Sequence, residues 1–213
     1  MTFKNLKCFI RCLALAALIP INGAYADKLS INGETLVYDT SRTELEENQE
    51  INWDDVEELE NLLRRHPEIK LLHLESYGGL TEAAQYIANV VIDYELSTFV
   101  DGECSSACVT IFLGGATRTL ARGAWLGFHK VHWDSQSMKE YYESNRETEE
   151  WSDPFEFSEW LHTDTQEEML KYFEYMLERG VTPNFAIKTL RADSDDMWYP
   201  RRKELISAGV LTN

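Results

Sequence analysis

Two short apolar runs, Ile69–Leu74 and Leu96–Val100, limit this chain more than any other feature. Each is long enough for one buried strand and too short for a buried helix. Between them Ala83, Ala84, Ile87, Val90 and Val91 recur at helical spacing. The alternation continues on both sides. Val56, Leu59, Leu62 and Leu63 mark a helix over 54–65, stopped by His66-Pro67. Trp125 to Val131 reads as a further strand. Strands joined through helices in this way form parallel βαβ units, here stacked into a layered α/β domain. Ahead of them, Leu29–Tyr38 alternates around Asn32-Gly33, which predicts a hairpin.

The second run leads into Asp101–Leu113, DGECSSACVTIFL. A strand turning sharply into a helix here puts Ser105 or Ser106 at the helix N-terminus. Unpaired N–H groups and the positive end of the helix dipole favour developing negative charge there. Gly114-Gly115 is expected to end this helix in a left-handed cap. His132–Thr163 is acidic and aromatic with weak periodicity, and reads as a helical insertion before the C-terminal segment. A helix over 164–178, with Met169, Tyr172, Phe173, Met176 and Leu177 in one stripe, follows it, and Gly180 closes it.

The first 26 residues carry the marks of an export signal. Lys4, Lys7 and Arg11 precede the apolar stretch Cys12–Ile21, and Ala24-Tyr25-Ala26 offers a cleavage site. The stretch is far shorter than the roughly 20 residues needed to span a bilayer. Residues 1–26 are therefore expected to be removed, leaving 27–213 as a single domain in the periplasm, with secretion from the cell as the alternative. The formal charge of −17 becomes −20 without that segment, which holds three cations and no acid. Such a chain does not track a nucleic-acid backbone or an anionic membrane surface. Cys104 and Cys108 are the cysteines that remain, in an oxidising compartment if export is correct. No second cysteine pair and no tight histidine cluster accompany them, so neither a metal nor another cofactor is expected.

The order of motifs resembles the proteolytic subunit of the Clp protease, within the wider crotonase-like fold. The resemblance covers Ile69–Val131 well and Asp195–Leu211 more loosely. Ser76-Tyr77-Gly78-Gly79 is similar to the family's Ser-Pro-Gly-Gly, and Gly102–Ala107 to its Gly-x-Ala-x-Ser-Met turn. Gly127-Phe128-His129 matches its histidine, and Asp196-Met197-Trp198-Tyr199 resembles the segment that carries its aspartate. The resemblance implies a serine peptidase acting on peptides or unfolded segments: Ser106 as nucleophile, His129 as base, Asp196 as acid. It implies an oxyanion hole from Gly78 or Gly79 and Ala107, and self-association into rings. An ATPase partner is not expected in a compartment without ATP. The departures are specific. Tyr77 replaces a stiffening proline. Counted back from Gly209, the family's spacing puts the acid on Met197, one residue from Asp196, so Asp195, Asp193 or no acid at all stay open. Lys130 leaves a serine–lysine dyad open, His132 is a rival base, and Cys108 a rival nucleophile. Cys104 and Cys108 form a disulfide if the helix begins between them. The reading from a different class is a catalytically silent module for assembly or peptide binding.

Overall fold

A computed structural model describes residues 28–42 and 49–212; the expected export signal lies outside the described residues. The main sheet holds five strands: β1 (Leu29–Asn32), β2 (Thr35–Asp39), β3 (Leu71–Glu75), β4 (Ser97–Val100) and β6 (Arg118–Leu120), in that order. β1 and β2 form the expected hairpin, with Gly33 at φ 60°. The other pairings are parallel. β5 (Glu103–Ser105) and β7 (Trp125–Gly127) make a second small parallel sheet. Isolated bridges widen it: Ser76 pairs with Cys104 in parallel, and Phe128 with Trp198 in antiparallel. The fold is mixed α/β, as expected.

The helices between strands form for local reasons. α1 (Trp53–Arg65) starts at a capping box between Asn52 and Asp55. Asp55 is buried, and its carboxylate accepts from Lys28 Nζ (3.0 Å) and Tyr38 Oη (2.7 Å), tying the helix start to the hairpin. α2 (Thr81–Asp93) turns Ala83, Ala84, Ile87, Ala88 and Val91 into the core. Against it packs α3 (Ala107–Gly114), apolar all round and buried on almost every side. The carbonyls at the end of α3 are held by two guanidiniums. Arg118 donates to Leu113 O (3.1 Å), and Arg179 to Leu113 O and Gly114 O (3.0 Å each). Cations thus sit at the negative end of the helix dipole, leaving the positive end to the site.

Two expectations are corrected. Gly115 caps α3 at φ −59°, not in the left-handed region. It is glycine because a Cβ would lie 2.2 Å from Thr98 Oγ1. The C-terminal helix does not begin near residue 164: α5 runs unbroken over Pro154–Glu178, capped by Asp153 with Pro154 in its first turn. It therefore absorbs the last ten residues, 154–163, of the segment read as an insertion. The remainder contains α4 (Ser135–Asn145). Tyr141, Trp151, Phe157 and Trp160 cluster between the two helices, with ring centroids 5.0–6.3 Å apart. The poor periodicity follows, since these rings pack on one another. α6 (Pro183–Thr189) and α7 (Arg202–Ser207) complete the chain. Among the described residues no helix is long and apolar enough to cross a membrane.

Candidate active site

β5 and α3 meet at Ser106. The residue adopts φ 55°, ψ −127°, a backbone conformation that costs a non-glycine residue about 1–3 kcal/mol. Neighbours over-determine it. Ser105 N–H donates to Ser76 O (3.0 Å), Ser106 N–H to Gly127 O (2.9 Å), and Val109 N–H to Ser106 O (3.0 Å). Cys104 and Cys108 are joined by a disulfide that spans the turn, with Cα atoms 5.3 Å apart. Cys108 is fully buried as well as bonded, which removes it as a rival nucleophile. Ser106 stands at the N-cap position, but its side chain makes no capping hydrogen bond. The hydroxyl turns instead to His129, whose Nε2 lies 2.7 Å from Oγ. That distance is within reach for direct proton transfer.

The glycine turn closes the other side. Gly78 and Gly79 have φ of 117° and 145°, which side-chain-bearing residues rarely adopt. A Cβ on Gly78 would lie 2.8 Å from Ser106 Cβ, and one on Gly79 within 2.3–2.9 Å of the Ile51 backbone. Gly78 N–H donates to Ser76 Oγ (3.1 Å), and Thr40 Oγ1 donates to the same oxygen (2.9 Å). Ser76 thus holds the turn in place of the absent proline. Ala107 is the first residue of α3, where a backbone N–H has no intrahelical acceptor.

The acid is different. His129 Nδ1 is buried and has no hydrogen-bond partner among the described residues. Asp196 is exposed, and its carboxylate accepts from the next N–H, of Met197, at 2.8 Å. The structure does not bring it to His129. The reason is register. Phe128 and Trp198 are paired in antiparallel, so Met197 stands opposite His129 on the same face while Asp196 points to the other. Met197 Sδ and Cγ also fill the space above Gly127, 2.9 and 2.8 Å from where a Cβ would be. Lys130 faces away from the serine and pairs with Asp193 (2.5 Å). Asp195 and His132 are exposed. Burial lowers the pKa of His129 below its ordinary value, and the Lys130 backbone opposes this in part. The ring is therefore neutral, and a base, across the pH range near 7. Among the described residues no group of histidine, cysteine, aspartate or glutamate is arranged to hold a metal ion.

The pleat places further residues on the face that carries His129. The Ser76–Cys104 and Phe128–Trp198 bridges align Glu75 and Tyr77, Glu103 and Ser105, Trp125 and Gly127, and Tyr199 and Met197 on it. The sequence presents Ser105 only as the alternative to Ser106 at the helix start, and does not mark Glu103, Tyr199 or Met197 as side chains of the site. The only available signal was the count from Gly209 that ends on Met197.

No family model matches the chain, and no curated protein matches it. Among solved structures it is similar to a point mutant of ClpP1 from Listeria monocytogenes, with TM-score 0.52 and 17% identity over 76% of this chain and 84% of that one. It is also similar to a point mutant of the 1510-N membrane-bound stomatin-specific protease, with TM-score 0.47 and 12% identity over 76% of this chain and 73% of that one. Identities this low speak to the fold alone: the chain has a ClpP-like α/β fold.

Proposed function

We propose that this protein is an exported serine peptidase that hydrolyses peptides or unfolded segments through a Ser106–His129 dyad. One observation carries the reading: a serine in a strained left-handed turn, uncommitted as a helix cap, with its Oγ 2.7 Å from a half-buried imidazole. Ser106 Oγ attacks the substrate carbonyl carbon while His129 Nε2 takes its proton. The carbonyl oxygen becomes an oxyanion. Gly78 N–H is already bonded to Ser76, so the donors are Gly79 N–H from the turn and Ala107 N–H from the start of α3. Collapse expels the amine, which receives the proton from Nε2. Water then repeats the cycle on the acyl-serine. When Nε2 acts as base the ring proton is on Nδ1, where it has no acceptor among the described residues. Such an unmet buried donor costs about 1–3 kcal/mol, and no carboxylate among the described residues stabilises the imidazolium. Turnover below that of a full triad is the consequence.

The periplasm as compartment, self-association and independence from an ATPase complete the proposal. The second reading, a catalytically silent assembly or peptide-binding module, is favoured by the missing acceptor at Nδ1. A fluorophosphonate probe separates them on oxidised protein. Labelling of the wild type and not of Ser106→Ala is the expected result. Absence of labelling in both supports the silent module.

A further inference from the structure

Beside the dyad, on the same face of the small sheet, Glu103 is held in place without a cation. Ser105 Oγ and Tyr199 Oη both donate to its Oε1, at 2.7 and 2.6 Å. Ser105 is fully buried, so this anchor is fixed. No lysine or arginine among the described residues pairs with Glu103. Three open aromatic rings share its face: Tyr77 (65% exposed), Trp125 (54%) and Tyr199 (39%), the last bonded to the carboxylate itself. Trp125 meets Tyr199 edge-on, with centroids 5.9 Å apart. The local field is negative. Glu75 accepts from Glu103 N–H at 2.9 Å, and its own pKa is raised, first by burial and then by Asp39, Asp101 and Glu103. His73, two residues before Glu75 on β3, is already paired with Asp101 (2.5 Å), and His129 on the same face is bonded to Ser106. An anchored carboxylate among exposed aromatic faces is a receptor for an organic cation, by ion pairing and cation–π attraction. Tyr77 directly precedes the glycine turn, and Glu103 lies three residues from Ser106, about 10 Å along an extended strand. Both are within reach of a peptide bound across the serine.

We propose that Glu103, Tyr77, Trp125 and Tyr199 form a subsite that takes a lysine or arginine side chain of the substrate. The proposal rests on the peptidase reading for the identity of its ligand. The test uses the full chain as Ser106→Ala, which binds without cleaving, and blocked peptides in which one lysine is walked through otherwise neutral positions. Each is compared with its norleucine counterpart by tryptophan fluorescence. One position is expected to bind about tenfold more tightly with lysine. Adding Glu103→Gln, which keeps the acceptor for both hydroxyls, brings that ratio to within about twofold. Tyr199→Phe is expected to reduce it about threefold. Equal binding of both peptides at every position overturns the subsite, as does a preference that survives Glu103→Gln. The two claims fail separately. Wild type that labels at Ser106 yet shows no lysine preference loses the subsite and keeps the peptidase. Lysine-selective binding by a protein that never labels does the reverse.

Discussion

The two sides of His129 are built to different standards. On the Nε2 side, Ser106 sits in a turn clamped by a disulfide and backbone hydrogen bonds, and the facing glycine turn is pinned by Ser76. Nδ1 has no partner among the described residues, Met197 stands opposite His129 in register, and the aspartate beside it, Asp196, is turned to solvent. Preorganisation is spent on placing the hydroxyl and the glycine turn, and none on charging the imidazole. That division suits a site whose base is kept neutral by burial.

The largest effect is expected from Gly79→Ala on the well-built side. The added Cβ collides with the Ile51 backbone at a φ that alanine avoids, so the turn must move and an oxyanion donor goes with it. A loss of about 10²–10³ in kcat is expected, read by acylation and peptide turnover. Folding is checked by far-UV circular dichroism. On the unbuilt side, Met197→Asp places a carboxylate opposite His129 and is expected to raise kcat about tenfold, with the acid limb of the pH profile moving upward as the imidazolium gains a partner. Unchanged activity in a folded Met197→Asp protein breaks the contrast between the sides. Replacing Cys104 and Cys108 together by serine removes a very short cross-link. About 2 kcal/mol of stability is expected to go with it, seen as a lower Tm, and acylation slows as the elbow loosens. Asp196→Asn is the smallest change, within about twofold of wild type, because its carboxylate touches only its own neighbour's N–H. A loss of 10³ or more would instead make Asp196 the acid.

Much of this was legible in the sequence because period carries it. The hairpin at Asn32-Gly33, α1, α2 and the strands at 71–75 and 97–100 follow from alternation, helical spacing and breakers. The meeting of Ser106 with His129 was legible only as an order of motifs, since nothing local relates residues 23 apart. Three-residue strands such as β5 and β6 are too short to show a period, yet β5 aims the serine. That Asp196 turns away from His129 was hidden for a related reason. A shift of one residue in the pairing with Trp198 exchanges which of Asp196 and Met197 faces the histidine, and pairing register is a long-range property. Glu103 reads as one more acid in an acidic chain until its two hydroxyl donors arrive from residues 105 and 199.

The most direct measurement is the rate at which a fluorophosphonate acylates Ser106 across about pH 4.5 to 8, in wild type and in His129→Ala. The desolvated imidazole loses its proton more readily than a free one. The rate should therefore rise with pH through a single step centred below the ordinary histidine value of about 6.5, and be level by pH 7. In His129→Ala the step should vanish and the rate fall by orders of magnitude. A step centred above about 6.5, or a wild-type rate that His129→Ala leaves untouched, would contradict the account.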